Sequence, residues 1–68
     1  MQLTLEIEQE EDGRWLAEVP EIAGAMAYGM TRVAAMAKVE ALALRILADR
    51  LELDDASPMP IRFCVVAD

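Results

Sequence analysis

The amino-acid sequence predicts an α+β fold, a two-layer β-β-β-α-β domain whose mostly antiparallel sheet carries one helix packed across a face. Three observations predict it. Residues 2–8 and 14–19 alternate apolar and polar side chains on either side of an Asp-Gly pair, the pattern of a half-buried hairpin. From Thr31 the chain runs through Arg50 without glycine or proline and is rich in alanine, leucine and other helix formers. A last apolar alternation, Ile61 to Val66, supplies one more strand after the helix.

Each element has its own justification. In the first strand Leu3, Leu5 and Ile7 point one way, and Gln2, Thr4, Glu6 and Glu8 the other. Glu10-Glu11-Asp12-Gly13 breaks the alternation, and Asp-Gly tolerates the positive φ angles of a tight hairpin. The return strand puts Trp15, Ala17 and Val19 on one face, against Arg14, Leu16 and Glu18. Pro20 has no N–H to donate to a ladder and ends it. Pro20 to Gly24 reads as a loop, and Ala25 to Met30 as a third strand with Met26, Tyr28 and Met30 on one face. Ala25, Ala27 and Gly29 make its other face small enough to accept a close neighbour.

Thr31 offers a hydroxyl suited to capping the helix that follows. Ala35, Met36, Val39, Leu42, Ala43, Ile46 and Leu47 form a stripe wide enough to cover a small sheet. Val33, Ala37, Ala41, Leu44 and Ala48 form a second, weaker one. A helix in a two-layer domain needs only one apolar face, so Val33, Ala37, Ala41 and Leu44 are expected to meet a partner. Glu52 to Pro60 is acidic and proline-punctuated, a loop by composition. In the last strand Ile61, Phe63 and Val65 alternate with Arg62, Cys64 and Val66. The first three strands are expected to form a meander, and the helix to return the chain so that the fourth joins an edge.

The 68 residues allow one domain, spanning 1–68. Domains of this size seldom draw more than ~3–5 kcal/mol from one core and commonly recruit disulfides, metals or partners. Cys64 is the only cysteine and there is no histidine, so an internal disulfide and a Cys/His zinc site are both excluded. Association is the remaining route, and a homo-oligomer is expected. Thirteen acidic against six basic residues give a net charge of −7. Such a chain lacks the dense basic patch that nucleic acid requires, and a basic protein partner suits it better. No apolar run reaches the ~18 residues of a membrane span. The first residues have neither the basic nor the apolar region of a signal peptide, and the lone thiol fits a reducing cytoplasm.

The run Asp12-Gly13-Arg14-Trp15-Leu16-Ala17-Glu18-Val19-Pro20-Glu21-Ile22-Ala23-Gly24, followed by Gly29-Met30-Thr31, resembles the HicB-like antitoxin family. The shared pattern is an Asp-Gly turn, an aromatic, an alanine, a proline-acidic-apolar loop ending in glycine, and a threonine entry into an alanine-rich helix. It covers about residues 3–47. Ala23 stands in place of a frequent second proline, Ala25 in place of a frequent cysteine, and Met30, Val33 and Ala34 in place of acidic or polar residues. Each departure makes the loop and the first helical turn less charged. The resemblance implies a partial RNase H-like fold without catalytic residues. It also implies a partner, a HicA-like toxin that degrades mRNA. Many relatives carry a DNA-binding domain as well; this sequence ends at Asp68 after its fourth strand, so none is expected here.

The residues themselves offer no active site. Metal-dependent nucleases gather carboxylates from several elements around two ions, whereas Glu6, Glu8, Glu10, Glu11 and Asp12 follow one strand and its turn. They read as a solvated face. Cys64 has no histidine to act as its base and reads as a small core residue. Ser57, the only serine, lies in an acidic loop. No catalytic residue, metal or cofactor is expected. Trp15 and Tyr28 are recognition anchors or core fillers on equal terms, and Met26, Met30, Met36 and Met59 read mainly as packing. The function expected is a non-enzymatic antitoxin that neutralises a HicA-like toxin. Glu8, Glu10, Glu11, Asp12, Trp15 and Glu21 would meet the toxin, with Glu6 and Glu18 adding to the field that steers the encounter. The alternative is a homo-oligomeric domain of the same kind with no toxin.

Overall fold

The computed structural model describes residues 1–53 and 60–67. Its elements follow the order β1 (Gln2–Gln9), β2 (Trp15–Glu18), β3 (Met26–Gly29), α1 (Arg32–Leu53) and β4 (Arg62–Ala67). The sheet order is β3-β2-β1-β4. β1 pairs antiparallel with β2 and β2 antiparallel with β3, while β4 joins β1 in parallel. This is the expected α+β arrangement, a meander with the fourth strand on its β1 edge. β3 and β4 run the same way on opposite edges, so α1 crosses the sheet to connect them.

Strand β1 is central, and Leu3, Leu5 and Ile7 are each 2% exposed or less. The hairpin after it is tight. Gly13 adopts φ +93°, its N–H donates to the Glu10 carbonyl, and Glu10 N–H donates to the Arg14 carbonyl. The core is completed by Ala17, Val19, Ile22 and Ala25 from the sheet side and by Ala35, Val39, Ala43 and Leu47 from α1. Trp15, Ala27, Met36, Ile46 and Phe63 pack around it, half-buried.

α1 lies against β3, β2 and β1, and no described part of it comes close to β4. The small face of β3 draws the helix to that edge. A Cβ added at Gly29 would stand 2.5 Å from the Ala35 nitrogen and 2.9 Å from its Cα, so only glycine lets the helix sit this close. Thr31 caps α1, its Oγ1 accepting the Ala34 N–H at 3.1 Å. On the far edge the inner face of β4 is left partly open, with Val65 48% exposed.

Some expectations are corrected. Glu52 and Leu53 belong to α1, because nothing in Asp49–Leu53 breaks a helix and the acidic residues there favour water equally well on its surface. The rest of the expected loop, 54–59 with Ser57 and Met59, lies outside the described residues. Cys64 is not a core residue. It pairs with Thr4 and is half-buried on the sheet face away from the helix. Met26 and Met30 are not packed either, at 49% and 78% exposed, because they occupy the face of β3 that the helix does not cover. Among the described residues no helix is long and apolar enough to cross a membrane.

Candidate protein-binding face

The helix covers one face of the sheet and leaves the other open. Strand pairing arranges the open face in rows across β3, β2 and β1. One row is Tyr28, Leu16 and Glu8; the next is Met26, Glu18, Glu6 and, on β4, Val66. Glu6, Glu8 and Glu18 surround the half-buried Leu16 and line a shallow depression with it. Its volume of about 170 Å³ is below the ~300–1,000 Å³ typical of small-molecule sites, so it suits a surface contact rather than an enclosed ligand. Among the described residues no three His, Cys, Asp or Glu side chains are grouped to hold a metal ion.

Charge is segregated along the chain. Residues 1–21 hold seven carboxylates and one arginine, whereas 22–39 hold no acid and include Arg32 and Lys38. The pairing of β1 with β2 therefore gathers Glu6, Glu8 and Glu18 on one face of the sheet. Carboxylates opposite each other, such as Glu6 and Glu18, repel and are tolerated only because they face water.

The residues expected to meet the toxin do not lie together. Glu8 lies on the open face, beside Glu6 and Glu18. Glu10 and Glu11 follow it at the turn; Glu10 is half-buried, with the Tyr28 hydroxyl 3.4 Å from its Oε1. Asp12 is already engaged, since its carboxylate accepts from the Arg14 backbone N–H at 3.0 Å and from Arg14 Nε at 2.8 Å. Those bonds hold the Asp12 carboxyl below its ordinary pKa. Arg14 in turn lies over the Tyr28 ring, 4.4 Å from its centre, so the turn, the arginine and the aromatic brace one another.

Trp15 and Glu21 fall elsewhere. Trp15 packs against the core on the helix side of the sheet, whereas Tyr28 is on the open face. Glu21 sits at the opposite end of β1, where its carboxylate accepts the Thr4 hydroxyl at 2.7 Å and the Thr4 N–H at 3.0 and 3.1 Å. The β1–β2 register would set Thr4 opposite Pro20, where β2 has already ended, and the Glu21 side chain takes over as acceptor. The Thr4 bonds, side chain first and then backbone, hold the Glu21 carboxyl below its ordinary pKa. Leu16 and Met26 are missing from the expected set. The alternation placed them on the outer face, but only the pairing across three strands shows them to be neighbours of Glu6 and Glu8.

No protein-family model, no curated protein and no solved structure matches the chain.

Proposed function

We propose that this chain is a non-enzymatic antitoxin of the HicB-like kind, which binds and neutralises a small basic ribonuclease resembling HicA toxins. The observation that carries the reading is the open sheet face, where Glu6, Glu8 and Glu18 ring the half-buried Leu16 beside Met26 and Tyr28. Such a face matches the chemistry of lysine and arginine. Their aliphatic stems can lie on Leu16 and Met26 while their charged heads reach the surrounding carboxylates. The resemblance of residues 12–31 to the antitoxin pattern supports the same reading, and so does a net charge opposite in sign to that of an RNA-binding protein.

Asp12 is ion-paired with Arg14 and Glu21 lies at the opposite end of β1, so the field at the open face comes mainly from Glu6, Glu8 and Glu18, with Glu10 and Glu11 at the adjoining turn. Fields of this kind raise the association rate more than the final affinity. Reversing Glu6, Glu8 and Glu18 to lysine is expected to slow capture of the toxin by on the order of 10- to 100-fold at low salt, and much less at high salt. Stopped-flow mixing with the purified toxin measures this. An association rate unaffected by both the reversal and the salt would reject the face.

A further inference from the structure

The outward face of α1 carries a second pattern. The buried stripe is Ala35, Val39, Ala43 and Leu47. Roughly opposite it, at 3.6 residues per turn, Ala37, Leu44 and Leu51 recur every seven residues, as do Ala34, Ala41 and Ala48 three positions earlier. These are the two core positions of a coiled-coil heptad. Leu44 and Leu51 are 43% and 39% exposed, and Val33, at the start of the same face, is 76% exposed. The alanine row lets a second helix come close, and the leucine row supplies area to bury.

The flanking charges say what covers this face. In the heptad set by these rows, Glu40 directly precedes Ala41 and Arg45 directly follows Leu44. Both are exposed, and among the described residues neither takes part in an ion pair. In two parallel helices these flanks face each other, residue i of one against residue i+5 of the other. Glu40 then meets Arg45 of a second copy, twice around the two-fold axis. The other exposed facing pair, Val33 with Lys38, brings no like charges together, and Leu47, which would face Glu52, is buried against the sheet and takes no part. An antiparallel pairing would set Lys38 and Arg45 against the same basic flank of the other helix.

We propose that the outward face of α1 is a self-association surface. Two copies pair their helices in parallel, Leu44 and Leu51 each meeting its own counterpart and Glu40 bonding Arg45 of the second copy. The helix points away from the open sheet face, so the dimer leaves the acidic surface free, and the inference stands independently of the toxin reading.

Sedimentation equilibrium of the full chain, with no other protein present, tests it. A dimer of the 7.5 kDa chain is expected. Leu44→Glu should give a monomer. Glu40→Arg or Arg45→Glu alone should weaken association on the order of tenfold, and the double variant E40R/R45E should regain the unmodified affinity. These two side chains are exposed, so the reversals leave the core intact, and circular dichroism checks that they do. In a Cys64→Ser background, Leu51→Cys should oxidise to a disulfide-linked dimer, since a parallel pair sets position 51 beside itself. A chain that stays monomeric at millimolar concentration would overturn the inference. So would a double reversal no tighter than the single ones, or a dimer that does not cross-link at position 51.

Discussion

Glu21 shows how one side chain replaces a stretch of strand. β2 ends at Glu18, two positions before the Pro20 that would face Thr4, and the Glu21 carboxylate accepts both the Thr4 N–H and its hydroxyl. The charged form makes those bonds, so the folded pKa lies below the ordinary 4.5. Asp12, bonded to Arg14, lies below its ordinary 3.8 for the same reason. The unfolded chain then binds protons more readily than the folded one. The stabilisation is fully present above the ordinary values and is lost as pH falls through the lowered ones. Melting temperature is therefore expected to fall as pH drops below about 4.5 and on through the two lowered values. The fall should be shallower in Glu21→Gln, whose melting temperature at neutral pH is already lower; an equal slope in both proteins would show that Glu21 contributes nothing. Gly29 is the second residue on which much depends. Its missing Cβ admits the Ala34–Ala35 backbone, and neither atom set can swing aside as a side chain would. Gly29→Ala is expected to cost about 1–3 kcal/mol in denaturant unfolding.

At the scale of elements, α1 begins where Thr31 accepts the Ala34 N–H, and its first turn has no acidic residue to favour the helix dipole. The cap therefore acts without help. Thr31→Ala is expected to cost about 1 kcal/mol, and Thr31→Asp to recover most of it. Thermal unfolding of the two variants gives the comparison. Much of this architecture is legible in the sequence. The alternation of Leu3, Leu5 and Ile7, the Asp12-Gly13 turn, the small face of β3 and the Thr31 entry are local signals, and each names its element. What is not legible depends on distance. The Glu21–Thr4 bonds join residues 17 apart through the geometry of a loop. The outward position of Cys64 depends on β4 pairing in parallel with β1, in register with Thr4. The continuation of the helix through Leu53 was hidden because acidic residues before a proline-rich stretch suit a loop and a solvated last turn alike.

The whole molecule is a two-layer domain with a different role available to each outer surface. α1 covers one face of the sheet with a core of small and branched residues. Its own outward face repeats in heptads, and the uncovered sheet face gathers Glu6, Glu8 and Glu18 around Leu16. The candidate binding surface was only half legible for a physical reason. Sequence charge identified the acidic end of the chain, but which carboxylates share the open face is decided by strand pairing, and Asp12 has its charge offset by Arg14. The most direct test of the central claim is co-purification. This chain is expressed untagged with a tagged small basic protein encoded beside it, and the eluate is weighed by light scattering and assayed for ribonuclease activity. A stable complex in which the ribonuclease is silent, and which Glu6, Glu8 and Glu18 reversed to lysine fails to form, is the predicted result. A chain that elutes without its neighbour and leaves the ribonuclease active would contradict it.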